Sequence, residues 1–292
     1  MDKVCGLDVH KDSVFACIID EKGEKILEAR YGTLTPDLIE LRDALVAHGA
    51  GRVAMESTSI YRMPIWRVLS FDFELTLVNP YLIKLLPGRK SDVKDAHWLA
   101  QCLQKEMLRG SYVPCETLQQ MRRFSRRYMY LSKQIVRVEQ RIDNHLQRCN
   151  IRFSNYVSNQ GKNVSIRKVI KSIIEDKERN PEKLCRLVHG RIRNNHGNDV
   201  ITASLTGVIS DTDVEMLRQC MEELELLEKQ QLQCIKLLEE PAIMYYAREI
   251  SLLCTIPGIQ ILMAFSKHKV LQVIRFFHSN RMTRAGSILV IT

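Results

Sequence analysis

Residues 4–9 read VCGLDV, a short apolar run that a single acidic residue, Asp8, interrupts. Residues 14–19 read VFACII and are rich in the apolar and β-branched side chains that favour a strand. The segment DEKG at 20–23 ends a turn with glycine, and residues 26–31 then follow as a third strand. Because both connections are short, we expect these segments to form an antiparallel meander.

The following segments alternate between helix and strand. Thr35 followed by proline indicates a helix start, with a hydroxyl N-cap and proline at the first helical position. We predict strands at 52–55 and 75–78, a helix from about 60 to 69, and a further helix from Ser91 or Asp92. This alternation predicts an α/β fold with a mixed sheet and flanking helices. The order of elements is that of the ribonuclease H-like fold.

Four acidic residues occupy positions that are unfavourable for a negative charge. Asp8 interrupts an apolar strand, and Glu56 follows the apolar residues 53–55. Asp92 and Asp95 are three residues apart and therefore share one face of a helix. In a ribonuclease H-like sheet the first and fourth strands are neighbours, so the four carboxylates would converge at one edge of the sheet. There they would repel one another unless a cation lay between them.

This convergence predicts a magnesium site, because Mg²⁺ prefers oxygen ligands. Two such ions can drive phosphodiester chemistry by activating a nucleophile and stabilising the leaving oxygen. Each acid also has an ordinary explanation when it is taken alone. Asp92 and Asp95 could cap their helix and complement its dipole, and Glu56 could pair with Arg52 or Arg62.

The composition favours a polyanionic partner. Lys and Arg number 43 against 34 Asp and Glu, for a net charge of +9, and this favours nucleic acid or an acidic membrane over a charge that only aids solubility. No apolar stretch is long enough for a membrane span, and the amino terminus lacks the apolar run of a signal peptide. The nine cysteines form no C-x-x-C pair, so we expect free thiols in a cytosolic protein rather than a zinc site.

Basic residues flank the acids and dominate the segment that follows them. Near the acids the candidates for phosphate contacts are Lys11, Arg89, Lys90 and Lys94. His10 could polarise a water or touch DNA, although a lone histidine is more often structural. Residues 116–153 combine an apolar stripe with a basic face, which predicts a long amphipathic helix. Its candidate nucleic-acid-binding residues are Arg122, Arg123, Arg126, Arg127, Arg137 and Arg141. For Arg89, Lys90 and Lys94 beside the acids, an ordinary solvated face is the alternative.

A second long helix is predicted from Asp211 to about Tyr246, with Asp211 or Thr212 as its N-cap. The two long helices could pair as an antiparallel coiled coil, or they could pair between subunits.

Four motifs of this chain resemble those of insertion-sequence transposases of the IS110 type. They are GLDVHK at 6–11, MEST at 55–58 with Tyr61 after it, KSDVKDA at 90–96, and IPGI at 256–259. The resemblance covers roughly residues 3–260, with its three acidic blocks in the family's order. It implies a DEDD transposase with a RuvC-like catalytic domain at 1–112, a helical coiled-coil and nucleic-acid-binding region at 113–247, and an incomplete C-terminal domain at 248–292.

The resemblance also implies a site and its partners. The metal-binding and catalytic tetrad would be Asp8, Glu56, Asp92 and Asp95, with Mg²⁺ as the cofactor. The partners would be DNA, as element ends and target, together with a structured guide RNA and further copies of the chain. The family in addition uses a serine nucleophile in its C-terminal domain.

The chain departs from the family pattern after Ile259. Gln260 stands where a second glycine is expected, and residues 261–292 contain no Asp or Glu. We therefore expect a truncated or frameshifted copy that lacks the family's serine. Three functions follow: a DNA transposase or recombinase, a RuvC-like junction nuclease that needs only the acids, or a non-catalytic transposase remnant that binds nucleic acid.

Overall fold

The apolar segments of the amino-terminal third form one five-stranded sheet in the computed structural model of the chain. The strands are β1 (Lys3–Val9), β2 (Val14–Ile19), β3 (Lys25–Tyr31), β4 (Ala50–Glu56) and β5 (Glu74–Val78), in the order β3-β2-β1-β4-β5. The β1–β2 and β2–β3 pairs are antiparallel, and the β1–β4 and β4–β5 pairs are parallel. The predicted meander, the mixed sheet and the ribonuclease H-like order are therefore confirmed.

The structure describes residues 3–57, 60–84, 95–157 and 163–257. Four predicted site residues lie outside these ranges, namely Arg89, Lys90, Asp92 and Lys94. Residues 258–292, on which the expectation of a truncated or frameshifted end rests, also lie outside. The chain divides into two compact units, Met1–Val113 and Pro114–Thr292. The functional domain limits at residues 112 and 247 stay predictions.

Helices cover both faces of the sheet in the first unit. They are α1 (Thr35–Ala47), α2 (Arg62–Leu69), α3 (Pro80–Lys84) and α4 (Asp95–Gln104). The odd-numbered residues of β1, such as Leu7, pack with Leu41 of α1 and Ile65 of α2. The even-numbered Val4 packs instead with Ala96 and Ala100 of α4. This alternation is the period-2 pattern of a strand that is buried on both faces.

The start of α1 differs from the prediction. Thr35 is the first residue inside the helix rather than its N-cap, and Leu34 precedes it. The backbone N–H of Leu34 donates to Oδ2 of Asp37 at 3.1 Å. The carboxylate of Asp37 reaches back across the first turn and satisfies an amide outside the helix, which a hydroxyl at Thr35 does not do.

The second unit is helical in the part that the structure describes. Its elements are α5 (Glu116–Arg148), a 3-10 turn (Phe153–Tyr156), α6 (Val164–Glu175), α7 (Pro181–Arg186), α8 (Gly190–His196), α9 (Asn198–Ser204) and α10 (Asp211–Cys254). The start of α5 packs against the end of α10, through Leu118 and Leu238. The end of α5 packs against the start of α10, through Ile142 and Leu217. The two long helices therefore pair antiparallel within the chain.

Two details of α10 correct the sequence prediction. Ser210, rather than Asp211 or Thr212, is the N-cap, and its hydroxyl accepts a hydrogen bond from the N–H of Asp213 at 3.2 Å. The helix also continues beyond Tyr246 to Cys254, with a bend at Tyr246 (φ −135°, ψ 22°). Pro241 lies five residues before the bend and lacks the backbone N–H that would bond to the carbonyl of Leu237. Within the described ranges, none of the helices combines the length and apolar character needed to cross a membrane.

Candidate active site

Strand register places Asp8 and Glu56 beside each other. Leu7 of β1 pairs with Met55 of β4 in parallel, so the residues that follow them are neighbours on adjacent strands. Leu7 and Met55 pack into the core beneath α1 and α2. Because side chains alternate along a strand, Asp8 and Glu56 both belong to the opposite face, which α4 covers. Of the four acids that were predicted to converge at this edge of the sheet, Asp8 and Glu56 therefore lie on neighbouring strands and on the same face.

Close packing of α4 on β1 brings a third acid to the same place. A Cβ atom on Gly6 would overlap the carbonyl oxygen of Ala96 and lie 2.6 Å from the amide nitrogen of Ala100. Glycine therefore allows the helix backbone to approach the strand directly. This close approach places Asp95 of α4 near the carboxyl end of β1. Asp8 and Asp95 line one cavity of about 310 Å³.

Glu28 is a carboxylate of this cavity that the sequence analysis missed. It lies on β3, opposite Cys17 of β2, which in turn pairs with Gly6 of β1. The cavity is lined by Asp8, Phe15, Ala16, Glu28, Asp95 and Ala96. Lys25 donates to Glu28 at 3.1 Å, so part of its charge is balanced. Because side chains alternate along a strand, residue 28 projects from the face that α4 covers. This could be predicted from the sequence only if the register of β3 against β2 were known.

His10 holds the carboxylate of Asp8. Its Nε2 donates to Oδ2 of Asp8 at 3.1 Å. The imidazole also meets the ring of Phe15 edge-on, with the ring centroids 5.8 Å apart. The side chain of Asp8 is 17% exposed and that of His10 is 56% exposed, so the pair faces the solvent from one side. The histidine is therefore an orienting partner of the acid rather than an isolated core residue.

Two groups of the first unit have shifted pKa values, His97 on the face of the site and Cys5 on the opposite face of β1. Burial lowers the pKa of His97 on α4, nearby Lys25 lowers it further, and Glu28 opposes both. His97 is accordingly biased towards its neutral form. Burial raises the pKa of the Cys5 thiol on β1, and neighbouring Cys17 adds to the shift. A thiol held in its protonated form is a poor nucleophile and a poor metal ligand.

The donor set fits a hard divalent cation. Asp8, Glu28 and Asp95 offer carboxylate oxygens around one cavity, and such oxygens are the ligands of Mg²⁺. Among the described residues, no three His, Cys, Asp or Glu side chains are grouped closely enough to enclose a metal ion. Mg²⁺ usually keeps several waters and binds through one or two protein carboxylates together with substrate phosphates. An open pair of acids on a cavity is therefore compatible with it.

The predicted phosphate-binding residues differ in their surroundings. Lys11 is exposed in the β1–β2 turn, next to His10. On α5, Arg123, Arg126 and Arg137 are exposed, and Arg122 is half-buried. Two other arginines contact α10: Arg141 donates to Glu223 at 2.6 Å, and Arg127 donates to Gln230 at 2.9 Å.

Comparisons with known proteins identify the family. The family model of IS110-type DEDD transposases matches residues 5–151, about half of the chain. Comparison with the curated proteins gives no match. Among solved structures, the chain is similar to "T. thermophilus RuvC in complex with Holliday junction substrate", with a TM-score of 0.30 and 10% sequence identity over 38% of this chain and 100% of that chain. The match to the family model shows that the chain belongs to the IS110-type DEDD transposases.

Proposed function

We propose that this protein is a DNA transposase or recombinase that cleaves and transfers DNA strands with Mg²⁺. The observation that carries the proposal is the shared cavity of Asp8 and Asp95, with Glu56 next to Asp8 in the strand register. Membership of the transposase family supports a DNA substrate, in the form of element ends and a target. A structured guide RNA and further copies of the chain complete the proposed partners.

The four acids Asp8, Glu56, Asp92 and Asp95 would hold the metal. When bound, a divalent ion stabilises negative charge on phosphate oxygens and lowers the pKa of water. Asp8 approaches the cavity from the sheet and Asp95 from α4, so they could bind an ion from two directions. His10 keeps Oδ2 of Asp8 in place through its hydrogen bond, since orienting partners of this kind fix the geometry of ligands.

Basic residues would bind the phosphate backbones. One group lies in the unit that carries the acids and consists of Lys11, Arg89, Lys90 and Lys94. The arginines of α5 offer a second basic surface. Exposed guanidinium groups such as those of Arg126 and Arg137 suit this role, because their N–H forks match phosphate oxygens.

Incubation of the purified chain with labelled element-end DNA, an unrelated branched DNA and Mg²⁺ tests the proposal. We expect Mg²⁺-dependent cleavage of element ends by the wild type and loss of that cleavage in D8N and D95N. D72N is the matched control, because Asp72 is an exposed acid that precedes β5, at the opposite edge of the sheet. Activity that survives in D8N would overturn the assignment of the acids.

Two other outcomes identify the alternatives. Cleavage of the branched DNA but not of the element ends would favour a RuvC-like junction nuclease. Tight binding of element DNA or its RNA without cleavage under any divalent metal would favour a non-catalytic remnant.

A further inference from the structure

A cationic side chain lies one strand beyond the wall of the acidic cavity. Asp8 of β1 pairs with Phe15 of β2, and Phe15 pairs with Arg30 of β3. Residues that pair in this way project from the same face of the sheet. Two strand spacings separate the backbones of Asp8 and Arg30, which is about 10 Å. Arg30 is exposed on the edge strand, beside Phe15, which lines the cavity.

The guanidinium group of Arg30 is held in a defined position. Its carbon Cζ lies over the ring of Phe15, 5.6 Å from the ring centroid. Phe15 lines the cavity and also meets the imidazole of His10, which donates to Asp8. Asp8, His10, Phe15 and Arg30 therefore form one series of contacts, from the carboxylate to an exposed guanidinium. Stacking on an aromatic face restricts an arginine while leaving its N–H groups available.

The charge of Arg30 is available to a ligand. No ion pair among the described residues includes Arg30. The carboxylate on the same face of its strand, Glu28, receives a hydrogen bond from Lys25 instead. An exposed guanidinium that is ordered by a ring of the cavity wall suits an anionic substrate that must approach the nearby acids.

We infer that Arg30, stacked on Phe15, binds a backbone phosphate of the DNA strand that enters the Asp8 cavity. This inference rests on the proposed function, because it supposes that the cavity receives DNA. The arginine offers a bidentate contact to a phosphate that flanks the one at the acids. It contributes position rather than sequence recognition, as backbone contacts generally do. The strand would accordingly pass over the β3 edge of the sheet.

Binding of a labelled branched DNA, measured by fluorescence anisotropy over a series of KCl concentrations with Ca²⁺, tests the inference. R30A is expected to weaken binding roughly tenfold and to reduce the slope of log K against log salt by about one. R30K is expected to keep the slope because it keeps the charge. F15L is expected to weaken DNA binding although the charge of Arg30 remains, because the ring that positions the guanidinium is lost. Thermal melting shows whether each variant is folded.

K22A is the matched control, because Lys22 is an exposed cation in the β2–β3 turn, at the far end of the same hairpin. Its slope is expected to equal that of the wild type. An R30A slope equal to those of the wild type and K22A would overturn the inference. The use of R30Q as a second neutral variant separates loss of the charge from any effect of alanine on the edge strand.

The same measurements keep this inference apart from the proposed function. If the wild type cleaves DNA with Mg²⁺ while R30A and R30Q bind as the wild type does, the inference fails and the function stands. If R30A reduces the salt slope by about one while D8N still cleaves as the wild type does, the role of Arg30 in DNA binding stands and the assignment of the acids fails.

Discussion

Gly6 of β1 lies against the backbone of Ala96 in α4, so closely that a Cβ atom would overlap the Ala96 carbonyl oxygen. This contact brings a helix down onto the sheet next to the strand end that carries Asp8. The position of Asp95 relative to Asp8 therefore depends on a residue without a side chain. The candidate site is a consequence of how tightly α4 packs.

G6A is expected to lower the free energy of unfolding by about 1–3 kcal/mol, because the added methyl group has no space and α4 must shift. Displacement of Asp95 from Asp8 should also weaken metal binding. Urea denaturation measures the first effect and calorimetric titration with Mn²⁺ the second. G110A is the control, since a Cβ at Gly110 would meet Thr76 at 3.5 Å, an ordinary contact. Equal stability of the two variants would contradict the close packing.

H10A is expected to weaken binding of the metal roughly tenfold, because Asp8 loses the group that orients its carboxylate. The stability of the fold should change little, since His10 is largely exposed. H48Q is a suitable comparison, because His48 lies at the end of α1 and its ring contacts the carbonyl oxygen of Ala44. An H10A affinity for Mn²⁺ equal to that of the wild type would show that the His10–Asp8 contact has no part in the site.

The basic face of α5 can be tested through the salt dependence of nucleic-acid binding. The double variant R126A/R137A is expected to reduce the slope of log K against log salt by about two for duplex DNA, since each exposed arginine neutralises one phosphate. R141A should change the slope less, because Arg141 already pairs with Glu223 at 2.6 Å. A larger effect of R141A than of the double variant would argue against this use of the helix.

The N-terminus of α10 gives a prediction that depends on pH. The hydroxyl and the backbone N–H of Ser210 donate to Asp213 and lower its pKa below the ordinary value of 3.8. A carboxyl group whose folded pKa is lowered contributes stability above its unfolded pKa, and this contribution is lost as the pH falls through the folded pKa. S210A is therefore expected to cost about 1 kcal/mol at neutral pH and less in acid.

Urea denaturation of S210A at pH 7 and at about pH 3 measures this difference. T212A is the control, because Thr212 is an exposed hydroxyl of the same turn and is not the cap. A cost of S210A that is unchanged in acid would contradict the role of the Asp213 carboxylate.

The sheet, and the positions of Asp8 and Glu56 on neighbouring strands, could be predicted from the sequence alone. The five strands are short apolar segments between clear turns, and their order with the helices limits the topology to few choices. Parallel pairing of β1 and β4 then requires the acids that end them to be neighbours, which the register of Leu7 with Met55 bears out. At these positions the apolar pattern of each strand and the order of the elements favour the same arrangement, so the strand pairing and the positions of the acids could both be predicted.

The positions of Glu28 and Arg30 relative to the acids could not be predicted in the same way. Their position depends on the register of an edge strand against β2, and a shift by one residue would turn both side chains to the other face. The caps of α1 and α10 were wrong for a related reason. Several residues near a helix start can bond to its free backbone amides. Only the backbone path shows that Asp37 rather than Thr35 does so in α1, and that Ser210 rather than Asp211 or Thr212 caps α10.

Direct titration of Mn²⁺ into the purified chain, with the bound ion followed by electron paramagnetic resonance, tests the central claim about the acids. We expect the wild type and D72N to bind the ion equally, and D8N and D95N each to bind it at least roughly tenfold more weakly, because each removes a carboxylate ligand. Equal affinity in D8N, D95N and the wild type would contradict the assignment of these acids to a metal site.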